Sequence, residues 1–211
     1  MFHVLHTRPA FVPFAAALLV LLCPFPAEAQ IKQPGAHPDY GVEIEPHVGV
    51  HWEQEPAWTD EGFGVGLRAT IPFLDNGPIS KINNNMGIGF GLDWAHFDDP
   101  CWHHFFRFSD RRFGEDCSAD QFWFPVVLQW NFFLTPVISV FGEPGFGIVH
   151  TRWSYDFFCN NNDGPICEFD DSDTNLRFVF WGGGRFMLGD TVGAVVRIGS
   201  PSLTVGVTFL L

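Results

Sequence analysis

Met86-Gly87-Ile88-Gly89-Phe90-Gly91-Leu92-Asp93-Trp94 alternates without a break. Met86, Ile88, Phe90, Leu92 and Trp94 fall on one side of an extended chain, and Gly87, Gly89, Gly91 and Asp93 on the other. A period of two marks a strand. Glycine is the informative member. On a strand that faces water it adds no packing and costs backbone entropy, so a soluble barrel would carry Lys, Glu or Thr there. In the crowded interior of a narrow barrel, where opposite walls nearly touch, glycine fits. The large apolar face is then the outer one, and its solvent is lipid.

The same pattern recurs outward from this stretch. Phe63, Val65, Leu67, Ala69, Ile71 and Phe73 alternate with Gly62, Gly64, Gly66, Arg68 and Thr70. Leu203, Val205, Val207, Phe209 and Leu211 alternate with Ser202, Thr204, Gly206 and Thr208. Such runs predict eight strands, at about 41–53, 62–73, 85–96, 121–133, 137–153, 175–188, 192–198 and 202–211, with ends uncertain by about two to four residues. The fold class is therefore all-β: an eight-stranded antiparallel up-and-down transmembrane barrel spanning 41–211. The two long polar connections, 97–120 and 154–174, belong to one alternating set and emerge at one end, as external loops do, while the short turns face the periplasm. Trp52 and Trp94 fall at the external ends of their strands on the lipid-facing side, where an aromatic girdle belongs. Trp153 has the opposite parity, which with Pro144 and several glycines predicts a bulge in the fifth strand.

Composition agrees. The 211 residues suffice for one domain with a core, and Phe (25), Gly (22) and Trp (8) are abundant while Lys32 and Lys81 are the only lysines. With 24 acidic against 11 basic residues, a net charge of −13 repels phosphate and excludes a nucleic-acid partner. The N-terminus reads as a signal peptide over 1–29: Arg8, an apolar core from Ala10 to Leu22, then Ala27-Glu28-Ala29 with cleavage between Ala29 and Gln30. Cys23 follows Leu22 where a lipidated cysteine wants a small residue, so it is not read as an anchor. Residues 30–40, with two prolines and a glycine, are expected to form a flexible periplasmic tail.

Four cysteines remain, Cys101, Cys117, Cys159 and Cys167, and an even number in an exported chain predicts two disulfides. Each long loop contains two of them, which favours Cys101 with Cys117 and Cys159 with Cys167; joining the loops to each other is the competing arrangement. The inward parity collects Glu43, Glu45, Asp93 and Glu143 with Arg68, Arg177, Arg185 and Arg197. A lumen of eight strands is filled by side chains, and buried charges there must pair, which predicts a salt-bridge network closing it. A gated polar pathway is the alternative use of the same residues.

No catalytic or metal site is expected, and no cofactor. His47 and His51 share a face, but four residues along a strand is about 13 Å, too far for one ion without other ligands. His103-His104 has no ligand spacing around it, and the acidic loop from Cys159 to Asp173 fits no calcium-loop pattern. Phe105, Phe106, Phe108, Phe157 and Phe158 are expected to pack on one another within the external loops.

In this pattern, over about 41–211, the sequence resembles the small eight-stranded outer-membrane barrels of Gram-negative bacteria, the OmpA- and OmpX-like superfamily. The most specific element is the C-terminus. Thr204, Gly206, Phe209 and Leu211 have the spacing of the signal read by the barrel assembly machinery, with Leu where Phe is usual. The resemblance implies an outer-membrane location, contact with membrane lipid and lipopolysaccharide, and assembly by that machinery. Such barrels serve as anchors, adhesins, small pores or lipid-modifying enzymes, and fold alone does not choose. His150 is followed by Thr151-Arg152, so the His-x-Ser of a lipid A deacylase is missing, and a charged lumen does not suit a palmitoyltransferase. The expected function is structural or surface-interacting and non-enzymatic. A narrow pore and a lipid-modifying enzyme are the alternatives.

Overall fold

The computed structural model describes residues 29–52, 61–98, 113–158 and 166–211. Eight strands follow one another in chain order: β1 (Glu43–Trp52), β2 (Glu61–Leu74), β3 (Asn84–Asp98), β4 (Phe113–Phe133), β5 (Ile138–Phe158), β6 (Ile166–Met187), β7 (Val192–Ser200) and β8 (Ser202–Leu210). Each pairs antiparallel with its neighbour, and β8 returns to β1 through pairs such as His47↔Gly206 and His51↔Ser202, so the sheet closes into a barrel. Closure leaves no edge in the ring itself, which is the condition for a sheet to cross a membrane.

The two faces are inverted relative to a protein in water. Phe146 and Phe178 on the outside are more than half exposed, whereas Glu143 and Arg197 inside are 1% exposed. Outward Val65, Leu67, Phe90, Leu92, Ile148 and Val205 continue the apolar surface around the barrel. Trp52 and Trp94 lie on this outward side, near the long-loop ends of β1 and β3. At the short-turn end Trp130 and Phe132 pack ring on ring at 4.7 Å, and the Trp130 indole N–H donates to Asn84 Oδ1 at 3.0 Å.

Strands β1 to β3, β7 and β8 fall within a few residues of the sequence reading; the other three are longer. β4 and β5 have 21 residues each and β6 has 22, against 9 in β7. A barrel strand crosses the hydrocarbon in about 9–11 residues. Much of 97–120 and 154–174, expected as loop, is therefore strand, and β4–β6 rise as a three-stranded wall beyond a low rim at β7, β8 and β1. The last β6–β7 pair toward that end is Phe180↔Ser200, so residues 166–179 of β6 have no partner from β7. Along that stretch the N–H groups of Ser172 and Thr174 donate to the carboxylates of Asp171 and Asp173, both at 2.8 Å.

The bulge expected in β5 is absent. β5 pairs with β6 without interruption from Ile138↔Phe186 to Phe158↔Ile166. Trp153 needs no bulge because its strand continues inside the wall, where it packs against buried Ala95, Phe97 and Ala119. Register shifts occur instead in β2, between Pro72 and Leu74, and in β4, between Phe113 and Cys117.

Residues 30–40 do not hang free. The Gln30 N–H donates to Leu134 O at 2.9 Å and the Asn83 N–H to Ile31 O at 2.8 Å, which ties the segment to two different turns at the barrel's short-turn end. Residues 1–28 of the expected signal peptide, Cys101, His103, His104, Phe105, Phe106, Phe108, Cys159 and the Asn160–Asp163 stretch lie outside the described residues. The backbone of Cys117 sits in β4 opposite Tyr155, and that of Cys167 in β6 opposite Phe157.

Candidate functional site: the charged lumen

Alternation delivers charge to the interior, and the barrel's small radius brings it together. From β1, the His47 Nε2–H donates to Asp93 Oδ1 on β3 at 2.9 Å. The Arg68 guanidinium on β2 donates to Asp93 Oδ2 at 3.1 Å and to Glu143 Oε2 on β5 at 3.3 Å. Arg197 on β7 donates to both Glu143 oxygens, at 2.7 and 3.1 Å, and to both oxygens of Glu45. Glu45 Oε1 lies 3.7 Å from His47 Nδ1. Hydrogen bonds run along His47–Asp93–Arg68–Glu143–Arg197–Glu45, and the 3.7 Å approach of Glu45 to His47 brings the ends together into a circuit of six side chains built from five of the eight strands. Charge-assisted, partly bidentate bonds of this kind are the strong ones.

A second pair lies toward the short-turn end. Arg185 is paired with Glu43 and donates to Ser139 Oγ at 3.3 Å, and the Thr208 hydroxyl donates to Glu43 Oε1 at 2.7 Å. The Phe141 ring takes the Arg185 and Arg197 guanidinium groups at 5.7 and 5.2 Å from its centroid. A chain of amides links this level to the circuit. Gln129 donates to Glu143 at 2.9 Å, Asn131 to Gln129 at 3.0 Å and to Asn85 at 2.8 Å, and Asn85 to the Tyr40 hydroxyl at 3.1 Å. Burial, with Glu43 nearby, pushes the Tyr40 phenol above its usual range, so it remains a neutral hydrogen-bonding group.

Seven of the eight charged residues expected in the lumen thus meet there. Arg177 shares their inward parity and is half-buried nearer the long-loop end. Beside the expected charges the lumen holds an apolar part, in which Trp123, Val127, Val149, Val179 and Trp181 form a cluster on the β4–β6 side. Arg68 joins the halves, its guanidinium 4.2 Å from the centroid of the Trp181 ring.

The inward glycines exist to receive these side chains. A Cβ at Gly62 would stand 2.8 Å from the Phe97 ring and one at Gly64 2.7 Å from His51, while one at Gly66 would collide with Asp93 Oδ1 and His47 Nε2. Gly66→Ala is accordingly expected to push His47 off Asp93 and cost about 1–3 kcal/mol, the usual range for overpacking. Urea titration of the folded barrel checks it, with Gly142→Ala, where a Cβ meets nothing within 4 Å, as the silent control.

Among the described residues no group of three or more His, Cys, Asp or Glu is placed to hold a metal ion. His47 is engaged by Asp93, and His51, 1% exposed, lies against Gly64. On the outer face at the foot of the wall, Asp120 accepts from the Trp94 indole at 3.0 Å and from His96 Nδ1 at 2.9 Å, and His150 Nδ1 shares a hydrogen bond of 2.9 Å with the Thr174 hydroxyl.

No family model matches the sequence, and no curated protein matches it. Among solved structures the chain is similar to Neisserial surface protein A (NspA), with a TM-score of 0.50 at 11% identity, over 81% of this chain and 97% of that one. It is also similar to Ail, the attachment invasion locus protein of Yersinia pestis, solved in complex with the heparin analogue sucrose octasulfate, with a TM-score of 0.47 at 11% identity, over 81% of this chain and 96% of that one. The closed ring of eight antiparallel strands and the likeness to NspA give the fold: that of the small outer-membrane β-barrels.

Proposed function

We propose that the protein is a non-enzymatic integral outer-membrane barrel of a Gram-negative bacterium, exported through a signal peptide cleaved between Ala29 and Gln30. Its lumen is sealed by salt bridges, and the β4–β6 wall is the part it displays for a structural or surface-interacting role. Disulfides Cys101–Cys117 and Cys159–Cys167 staple the external side. Its partners are membrane lipid, lipopolysaccharide and, during biogenesis, the assembly machinery that reads Thr204, Gly206, Phe209 and Leu211.

The observation that carries this reading is the six-membered circuit across the lumen. An ion following the axis would have to separate Arg197 from two carboxylates that are each almost fully buried, and buried pairs broken in this way cost several kcal/mol. The refolded protein in a planar lipid bilayer is expected to be electrically silent. Stable single-channel steps would overturn the sealed lumen.

A narrow pore for ions or small solutes is the second reading. It draws on Glu43 Oε2, His51 Nδ1, Arg68 Nε, Arg185 Nε and Thr204 Oγ1, buried lumen atoms that find no hydrogen-bond partner among the described residues and so call for water. The same bilayer recording separates the two.

A further inference from the structure

The segment before β1 does more than connect. It leaves β1 beside β8, where Gly41 N–H and Val42 N–H donate to Leu211 O at 2.7 and 3.0 Å, and it ends against the β4–β5 turn at Leu134. It therefore crosses the mouth of the barrel. Its shape is fixed locally: the Gln33 N–H donates to Gln30 O and the Ala36 N–H to Gln33 O, at 2.9 and 3.1 Å, and Gly35 turns the chain at φ +75°, where a side chain would be strained. His37 then stacks on Phe133 with ring centroids 4.8 Å apart, and its Nε2–H donates to Asp75 O at 2.6 Å. Tyr40 is buried, and its hydroxyl is the first member of the hydrogen-bonded chain that runs through Asn85, Asn131 and Gln129 to Glu143.

Beneath Pro38 lies a cavity of about 10 Å³, lined by Phe133, Ser139, Arg185, Met187 and Leu210. That is room for about one water at most. The strap thus lies across the mouth directly below the Glu43–Arg185 pair, independently of the six-membered circuit further up.

We propose that residues 30–40 are a stopper for the periplasmic mouth: an intramolecular strap, latched by His37 and seated by Tyr40, that keeps periplasmic solutes from the Glu43–Arg185 pair. The lower lumen is then a compartment that opens when the strap lifts, whether or not the circuit above it conducts.

A cysteine reporter reads this directly. Ser139→Cys lies under the strap and Thr151→Cys lies above the circuit; both positions are buried. The folded full-length barrel in detergent is treated with a small charged methanethiosulfonate, and modification at each reporter is followed by mass spectrometry of its own peptide, which keeps the native cysteines out of the count. Deleting residues 30–38 is expected to raise the rate at position 139 by at least ~10-fold and leave position 151 unchanged, as opening of one local unit would. His37→Ala, which removes the stack and the Asp75 bond and leaves the chain length intact, is expected to give a smaller rise at 139 alone, and it serves if the deletion does not fold. Unchanged labelling at 139 in a folded variant overturns the stopper. So does an equal rise at both reporters, which would mean that the whole barrel has loosened.

Discussion

Arg197→Ala is expected to cost the folded barrel about 3–5 kcal/mol, the range for breaking one side of a buried ion pair. Its guanidinium holds both Glu45 and Glu143, each almost fully excluded from solvent, and truncation takes away the two hydrogen bonds it gives Glu45. The loss is mostly the cost of carboxylates left without a counter-charge, so it is reversible by removing charge. Arg197→Met combined with Glu45→Gln should recover a large part of it, while Glu143 retains Arg68. Urea unfolding in lipid vesicles, followed by tryptophan fluorescence, reads both variants. A midpoint that does not move in Arg197→Ala would mean that water reaches these carboxylates, and the sealed lumen would fall with it.

The outer face makes an equally direct demand. Phe90 projects outward, 44% exposed, halfway along the Met86–Trp94 alternation. If its surroundings are hydrocarbon, Phe90→Arg costs about 2–4 kcal/mol, the figure for a cation at the bilayer midplane. Phe73→Arg, near the short-turn end of β2 and 59% exposed, should cost only about 0–1 kcal/mol, because the arginine can reach the interface. In a soluble barrel both positions would tolerate arginine equally. The depth dependence is therefore the decisive measurement, and the same unfolding assay supplies it.

The ring of strands was legible wherever one face is large and apolar and the other small. β3 from Met86 to Trp94 and β8 from Ser202 to Phe209 show this contrast, and the alternation alone places Glu43, Glu45, Arg68, Asp93, Glu143, Arg185 and Arg197 inside. His47 has the same parity as Glu43 and Glu45, yet a histidine spaced four from another invites a question about metal, and its role as the link between Glu45 and Asp93 depends on β3, far away in sequence. On β4 both faces are apolar, with Phe122, Phe124 and Val126 outside and Trp123 and Val127 inside, so the pattern carries no sign of which way is in.

The wall was hidden for the opposite reason. Beyond the membrane both faces of β6 meet water, and Asp170-Asp171-Ser172-Asp173-Thr174-Asn175 has the composition of a loop. Cross-strand pairing with β5, which no local pattern reports, makes it a strand. Residues 30–40 are hard to read for a similar reason: two prolines and a glycine suggest a flexible tail, whereas the bonds that hold the strap are made to Leu134, Asn83 and Asp75, on turns the segment cannot see locally.

The flank of β6 that β7 does not reach bears on life at high surface density. A bare strand margin on a crowded cell surface is a template on which identical neighbours can add, strand upon strand, into a growing ribbon. Here two of its backbone donors are already occupied, by the carboxylates of Asp171 and Asp173, and any newcomer would have to displace those charges and meet Asp170 beside them. Another copy of this chain brings the same negative row and is repelled. The wall can stand at close quarters without polymerising, and a molecule that recognises it has to do so through side chains on its broad faces.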